Sequence, residues 1–341
     1  MLTVRELLDL LQAPQPLTVD GLPTYPLLVV DLETAAGEAD PETLAPHLVT
    51  RPQVIIGVLP TDASPRALRL ARACTVAVCP QPSRHPQVVA VNDVHAALET
   101  LTRTIHTAPV AALSLHQLLH LQEHLPVPEA LVAESAVYST LLAGTEFSSW
   151  LARRNTRRPQ ETTDPVKASI EAGTLRISLS RPARRNAFNA AMREALCDAL
   201  AVAAGDRALR VELTGHGPDF CAGGDLDEFG TADPAAAHLL RTARSAALAL
   251  HRLADRTTAR LQGNCIGAGI ELPAYAGRVL ARPDVRIHLP ELSMGLIPGA
   301  GGTVSLTRRI GRWRTAWLAL TGAVLTAREA LSWGLIDELW P

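Results

Sequence analysis

The sequence predicts an α/β protein, and two observations carry that reading. Apolar β-like runs alternate with helix-like runs along the chain, and glycine-rich turns stand where strands give way to helices. The chain has 341 residues, which at roughly 150 per domain makes about two domains with ample sequence for a core. Apolar residues make up 47% and charged residues 19%, which excludes disordered, coiled-coil and collagen-like chains. The net charge is −2, and the basic residues, all arginine except Lys167, are scattered, so no nucleic-acid partner is expected. No apolar run approaches the 18 or so residues of a membrane span, and Thr3 and Glu6 form a capping box, so the start reads as a short helix. Cys74, Cys79, Cys197, Cys221 and Cys265 include no CxxC pair, which points to neither a disulfide framework nor a metal site and makes the reduced cytoplasm the expected location.

A polar segment at 153–167, with Pro159 and Pro165 and no apolar period, marks the seam between two predicted domains, 1–158 and 165–341. Before it, strands are expected at 27–32 (LLVVDL), 54–59, 75–79 and 88–91, with helices at 41–49 and 64–73. A helix capped by Asn92 or Asp93 runs to about 106, an apolar stretch starts at 110, and a last helix covers 128–153. This part has no glycine-rich turn or carboxylate pair where chemistry would want one, so it reads as structural or regulatory. After the seam, strands at 175–179, 209–213 and 258–261 alternate with helices at 190–204 and 234–254; short strands near 279 and 287 and terminal helices follow.

The informative turns are GHGPDFCAGGD at 215–225 and GNCIGAGIEL at 263–272, with a third glycine cluster at 298–303. Low side-chain bulk lets a ligand approach the backbone, and a helix starting there aims free N–H groups at it. Two such turns converging would make an oxyanion hole for a carbonyl that gains charge. A P-loop is excluded because neither turn contains its lysine. Gly267-Ala-Gly269 lacks the third glycine of a dinucleotide fingerprint and precedes a glutamate that would repel a pyrophosphate. Glu271 falls in the first turn of the helix that opens at Gly267, where the dipole alone would favour an acid; Glu291 follows the β-like RIHLPE and alone reads as a loop carboxylate. Flanking one substrate, two carboxylates can divide labour as base and acid.

From about 167 to 339 the chain resembles the crotonase superfamily of enoyl-CoA hydratases and isomerases. The matching pieces are SRPARRNA at 180–187, FCAGGDL at 220–226, GNCIGAGIEL at 263–272, Pro290-Glu291, PGAGGT at 298–303 and GLIDEL at 334–339. The resemblance implies a spiral of ββα repeats in which the Gly224 and Ala268 amides hold a thioester enolate, with Ala222, Gly223, Asp225, Gly267 and Gly299 around the substrate. In the family's hydratases, glutamates at the positions of Glu271 and Glu291 hold and activate one water, whereas isomerases usually keep only the later one. The implied activity is syn hydration of a 2-enoyl thioester, or its reversal, with no metal or redox cofactor. The implied partner is an acyl-CoA or a carrier-protein-bound acyl group, and the implied assembly is a trimer-based homo-oligomer. Isomerisation, C–C bond cleavage and a non-catalytic acyl-thioester-binding role are the alternatives.

The chain departs from the family pattern in places. Asp227 stands where hydratases often place a lysine near the CoA phosphates, which leaves Arg184 and Arg185 as candidate cations. Gly277 replaces the family's aspartate and would weaken that segment's anchoring. Family members continue past the position of Leu339 with a helical region that covers the acyl pocket, and the segment 133–154 resembles that region. Residues 1–158 are therefore expected to be a degenerate crotonase-like half whose last helix caps the other.

Overall fold

Continuous apolar runs such as VIIGV suit strands buried on both faces, and they form a parallel sheet. Strands β1 (Leu27–Asp31), β2 (Val54–Val58), β3 (Val76–Cys79) and β4 (Val88–Ala90) lie in that order, with Leu28 opposite Ile55 and Ala77 opposite Val88. The computed structural model describes residues 16–154, 164–231 and 241–341. The expected Thr3/Glu6 helix, most of the seam and the expected helix start at 234 lie outside them. Helices α1 (Leu32–Glu38), α2 (Pro41–Val49) and α3 (Pro65–Leu70) cover a small core of their own that includes Leu32, Leu44 and Leu70.

Helix α4 (Val94–Thr107) starts at Asp93, whose carboxylate accepts the Ala96 amide. The apolar stretch from 110 is a helix, α5 (Pro109–Gln122), with proline at its first position. The single helix expected at 128–153 is two, α6 (Val127–Leu142) and α7 (Thr145–Ala152), because Gly144 leaves helical geometry and becomes the cap of the second.

Beyond the seam, β5 (Val166–Glu171) and β6 (Thr174–Leu179) form a hairpin turned by Ala172 and Gly173, both at positive φ. Strand β5 is almost wholly exposed at the sheet edge, so it lacks the apolar pattern that reveals a strand in sequence. The chain continues through α8 (Ala190–Gly205), β7 (Arg210–Gly215), α9 (Ala246–Arg252), β8 (Thr257–Leu261), β9 (Asn264–Ile266) and the one-turn α10 (Ala268–Glu271). Then come β10 (Arg278–Ala281), β11 (Arg286–His288), α11 (Gly302–Thr321, interrupted at Gly311), β12 (Leu325–Thr326), α12 (Ala327–Trp333) and β13 (Glu338–Leu339).

A six-stranded sheet has the order β13-β10-β8-β7-β6-β5, and a second sheet the order β12-β11-β9. Successive pairs β8/β9 and β10/β11 each place one strand in either sheet before a helix, which is the ββα winding that the resemblance implies. One apolar core runs through both sides of the seam, from Leu101, Leu115 and Tyr138 to Leu250, Leu306 and Ile336. Helix α11 packs against α4, α5 and α6, and its buried Arg312 donates to the carbonyls of Cys74 and Arg72 and pairs with Glu123. Among the described residues no helix is long and apolar enough to cross a membrane.

Candidate active site

The glycine turns are brought together by backbone pairing. The Cys221 amide donates to the Asn264 carbonyl at 3.2 Å, and the Ile266 amide donates to the Cys221 carbonyl at 3.0 Å. On the other side Phe188 donates to Gly223 at 2.7 Å and accepts from Asp225 at 2.9 Å. Gly269 is what allows the approach, since a Cβ there would lie 2.2 Å from the Cys221 carbonyl oxygen. The segment SRPARRNA supplies a clamp: the buried Asn186 side chain donates to the carbonyls of His216, Asp219 and Phe220, and Arg181 pairs with Asp225 at 2.9 Å. The amides of Gly224 and Ala268 have no acceptor among the described residues, and both residues line one cavity of about 580 Å³.

Glu271 and Glu291 line the same cavity. Glu271 Oε2 accepts the amides of Ala300 at 2.7 Å and Gly302 at 2.9 Å. Glu291, at the start of a 3₁₀ turn after β11, has a buried Oε2 with no hydrogen-bond partner among the described residues. Their Oε1 atoms both lie beside Gly267, where a Cβ would be 2.5 Å from that of Glu291 and 3.6 Å from that of Glu271. Burial pushes the Glu271 carboxyl up to about 7, against the pull of its two amide donors. Burial and then the Glu271 charge hold Glu291 well above the usual carboxylate range.

Gly267→Ala tests this packing, because Gly267 has φ +49 and faces a carboxylate oxygen. It is expected to lower kcat at least tenfold and to destabilise the fold by about 1–3 kcal/mol. Gly37→Ala, inside helix α1 where a Cβ meets nothing within 4 Å, is the control and should leave kcat unchanged and the melting temperature equal or slightly raised.

Of the residues expected around the substrate, Ala222, Gly223, Asp225 and Gly299 line the cavity. Gly267, Arg184 and Arg185 are not among the lining residues; Gly267 sits behind the carboxylates. Arg184 pairs with Asp227 at 2.9 Å, and Arg185 is 70% exposed beside Asp219. Asp227 itself lies between Arg184 and Arg154, so the repulsion expected from this acid is offset by two guanidiniums. Gly277 anchors its segment, with its amide donating to Ala254 at 2.7 Å where a Cβ would lie 2.4 Å from that carbonyl oxygen.

The lining also includes Glu134, Tyr138 and Trp150 from α6 and α7, which the sequence reading did not place in the site, together with Phe229 and Arg241. One signal was present in α6: Leu131, Glu134, Ser135, Tyr138 and Leu141 share its buried face, and a glutamate in an apolar stripe asks for a partner. The α7 aromatics Phe147 and Trp150 each lie about 6 Å from Phe229, and Trp150 and Phe229 both line the cavity.

The family model described as Enoyl-CoA hydratase/isomerase matches residues 169–341. The chain belongs to this enoyl-CoA hydratase/isomerase family. The family member is 36% identical over 174 residues to the 2,3-dehydroadipyl-CoA hydratase of Escherichia coli, covering 51% of this chain and 68% of that protein. It is 33% identical over 180 residues to the 1,2-epoxyphenylacetyl-CoA isomerase of the same organism, covering 51% and 69%. Among solved structures, an enoyl-CoA hydratase from Thermoplasma volcanium is 35% identical, with coverage of 52% and 72% and a TM-score of 0.49. The family's reactions thus include hydration and isomerisation, and this member carries the glutamates at 271 and 291 on one cavity.

Proposed function

We propose that the protein is an enoyl-thioester hydratase, acting on a 2-enoyl-CoA and able to run as a dehydratase. The observation that carries this reading is the convergence of Glu271, Glu291 and the unoccupied amides of Gly224 and Ala268 on one cavity. The thioester carbonyl accepts hydrogen bonds from those amides, which draws charge onto oxygen as water adds at C3. Glu271 takes a proton from the water as its oxygen bonds to C3, and Glu291 gives a proton to C2 as the enolate collapses. Transfer of a proton from Glu271 to Glu291 then restores both groups, and the sum is addition of one water.

The environments favour these roles. Two amides stabilise an ionised Glu271, whereas Glu291, with its buried Oε2 unpaired among the described residues and next to that charge, favours keeping its proton. Against the non-catalytic alternative, Asp227 is paired with Arg154 and Arg184, and residues of α6 and α7 line the pocket. The test is product analysis with 2-enoyl-CoAs: a 3-hydroxyacyl product supports hydration, a shifted double bond supports isomerisation, and binding without product removes both.

The pH dependence follows from the same groups. Hydration is expected to rise as Glu271 loses its proton at about pH 7 and to fall at higher pH as Glu291 loses the proton it must donate. A kcat/KM that is flat from about pH 5 to 9 would remove this acid/base pair.

A further inference from the structure

Glu134 comes from the part of the chain before the seam, yet it is 3% exposed at the start of α11. Its Oε1 accepts the Gly301 amide at 2.7 Å; its Oε2 accepts the Thr303 amide at 3.0 Å and the Thr303 hydroxyl at 2.5 Å. The amides on either side of Gly301 belong to Ala300 and Gly302, and both donate to Glu271 Oε2. Four successive amides at a helix start, which have no acceptors within the helix, thus alternate between two carboxylates. One turn along α6, the Tyr138 ring packs on Gly299, where a Cβ would lie 2.2 Å from it. The loop that holds Glu271 is gripped from the other side by α6.

We propose that Glu134 is a positioning residue for hydration: it fixes the 300–303 amides so that Glu271 is held by Oε2 and presents Oε1 to the water. This rests on the hydratase reading above. The two Glu134 oxygens between them hold the amides of Gly301 and Thr303 and the Thr303 hydroxyl. Burial and the Glu271 charge push its pKa up, and those donors oppose the shift. The titratable groups around it are Glu271 on α10, Glu291 after β11, Tyr138 on α6, and Tyr275, whose hydroxyl donates to the Gly301 carbonyl.

The test uses the full chain with Glu134→Gln and Glu134→Asp. Glu134→Gln keeps one acceptor oxygen and loses the other, and is expected to lower kcat for hydration about 10- to 100-fold with KM and the melting temperature little changed. Glu134→Asp keeps both acceptor oxygens but shortens the reach, so kcat falls there too. A Glu134→Gln enzyme with unchanged kcat overturns the proposal; so does one whose kcat falls only in step with its melting temperature. If the wild-type chain hydrates no enoyl thioester, the hydratase reading fails and the positioning role fails with it. The grip on Glu271 is then still read separately: the infrared carboxyl band of Glu271, assigned with Glu271→Gln, should shift in Glu134→Gln as its hydrogen bonds from the 300–303 amides loosen, and an unmoved band overturns that grip.

Discussion

Glu271→Gln and Glu291→Gln are each expected to lower kcat for hydration of a 2-enoyl-CoA by about 10²- to 10⁴-fold, the range for losing a positioned acid or base. Glutamine is the informative replacement because it keeps shape. With Glu271→Gln, the amide side chain still presents one carbonyl oxygen to the amides of Ala300 and Gly302, so the 300–303 loop keeps its acceptor while the base is lost. Glu291→Gln removes a carboxyl whose Oε2 has no partner among the described residues, so no hydrogen bond there is broken. The melting temperature should therefore move little while turnover collapses. The double variant should cost little more than the worse single one, because groups acting on one water fail as a unit. Hydration that survives both substitutions removes the assignment. Loss of hydration with a retained double-bond shift in Glu271→Gln would place the enzyme among the family's isomerases.

A fragment beginning at Asp164 is expected not to fold into an active enzyme, although it contains Glu271, Glu291, Gly224 and Ala268. Helix α11 packs against α4, α5 and α6, and the shared core includes Leu101, Leu115 and Tyr138. Uncovering a large apolar side chain costs about 1.5–3 kcal/mol. A handful of them exceeds a typical net stability of about 5–15 kcal/mol. Arg312 would also lose the carbonyls of Cys74 and Arg72, and the Gly301 and Thr303 amides would lose Glu134. Circular dichroism with urea, alongside hydration assays, measures this. A fragment that unfolds cooperatively and turns over like the full chain would show that the first 163 residues are dispensable.

Much of the secondary structure was legible because burial on two faces writes continuous apolar runs, as in β2 and β3. Exposed β5 escaped for the opposite reason, and β9 was hidden inside a turn whose glycines dominated its pattern. The break at Gly144 was available as a propensity signal inside an otherwise helical segment. At the site, the glycine turns, Glu271 and Glu291 stood out through turn and acid/base chemistry, the resemblance pointed to the amides of Gly224 and Ala268, and all four residues line one cavity. Arg184 was drawn toward the ligand by its charge alone, and Asp227 turned out to claim it.

By itself, the sequence determined the α/β alternation, the glycine turns, the pair of glutamates and, through the order of its motifs, the family. These are local properties, set by side-chain bulk, backbone freedom and apolar period over a few residues. Only the tertiary structure decided that Glu271 and Glu291 come to one cavity beside Gly267, and that Glu134 reaches the start of α11 from well over a hundred residues away. No local rule encodes that meeting. It arises because α11 needs a cover for its apolar face and acceptors for its first amides, and α6 supplies both at once.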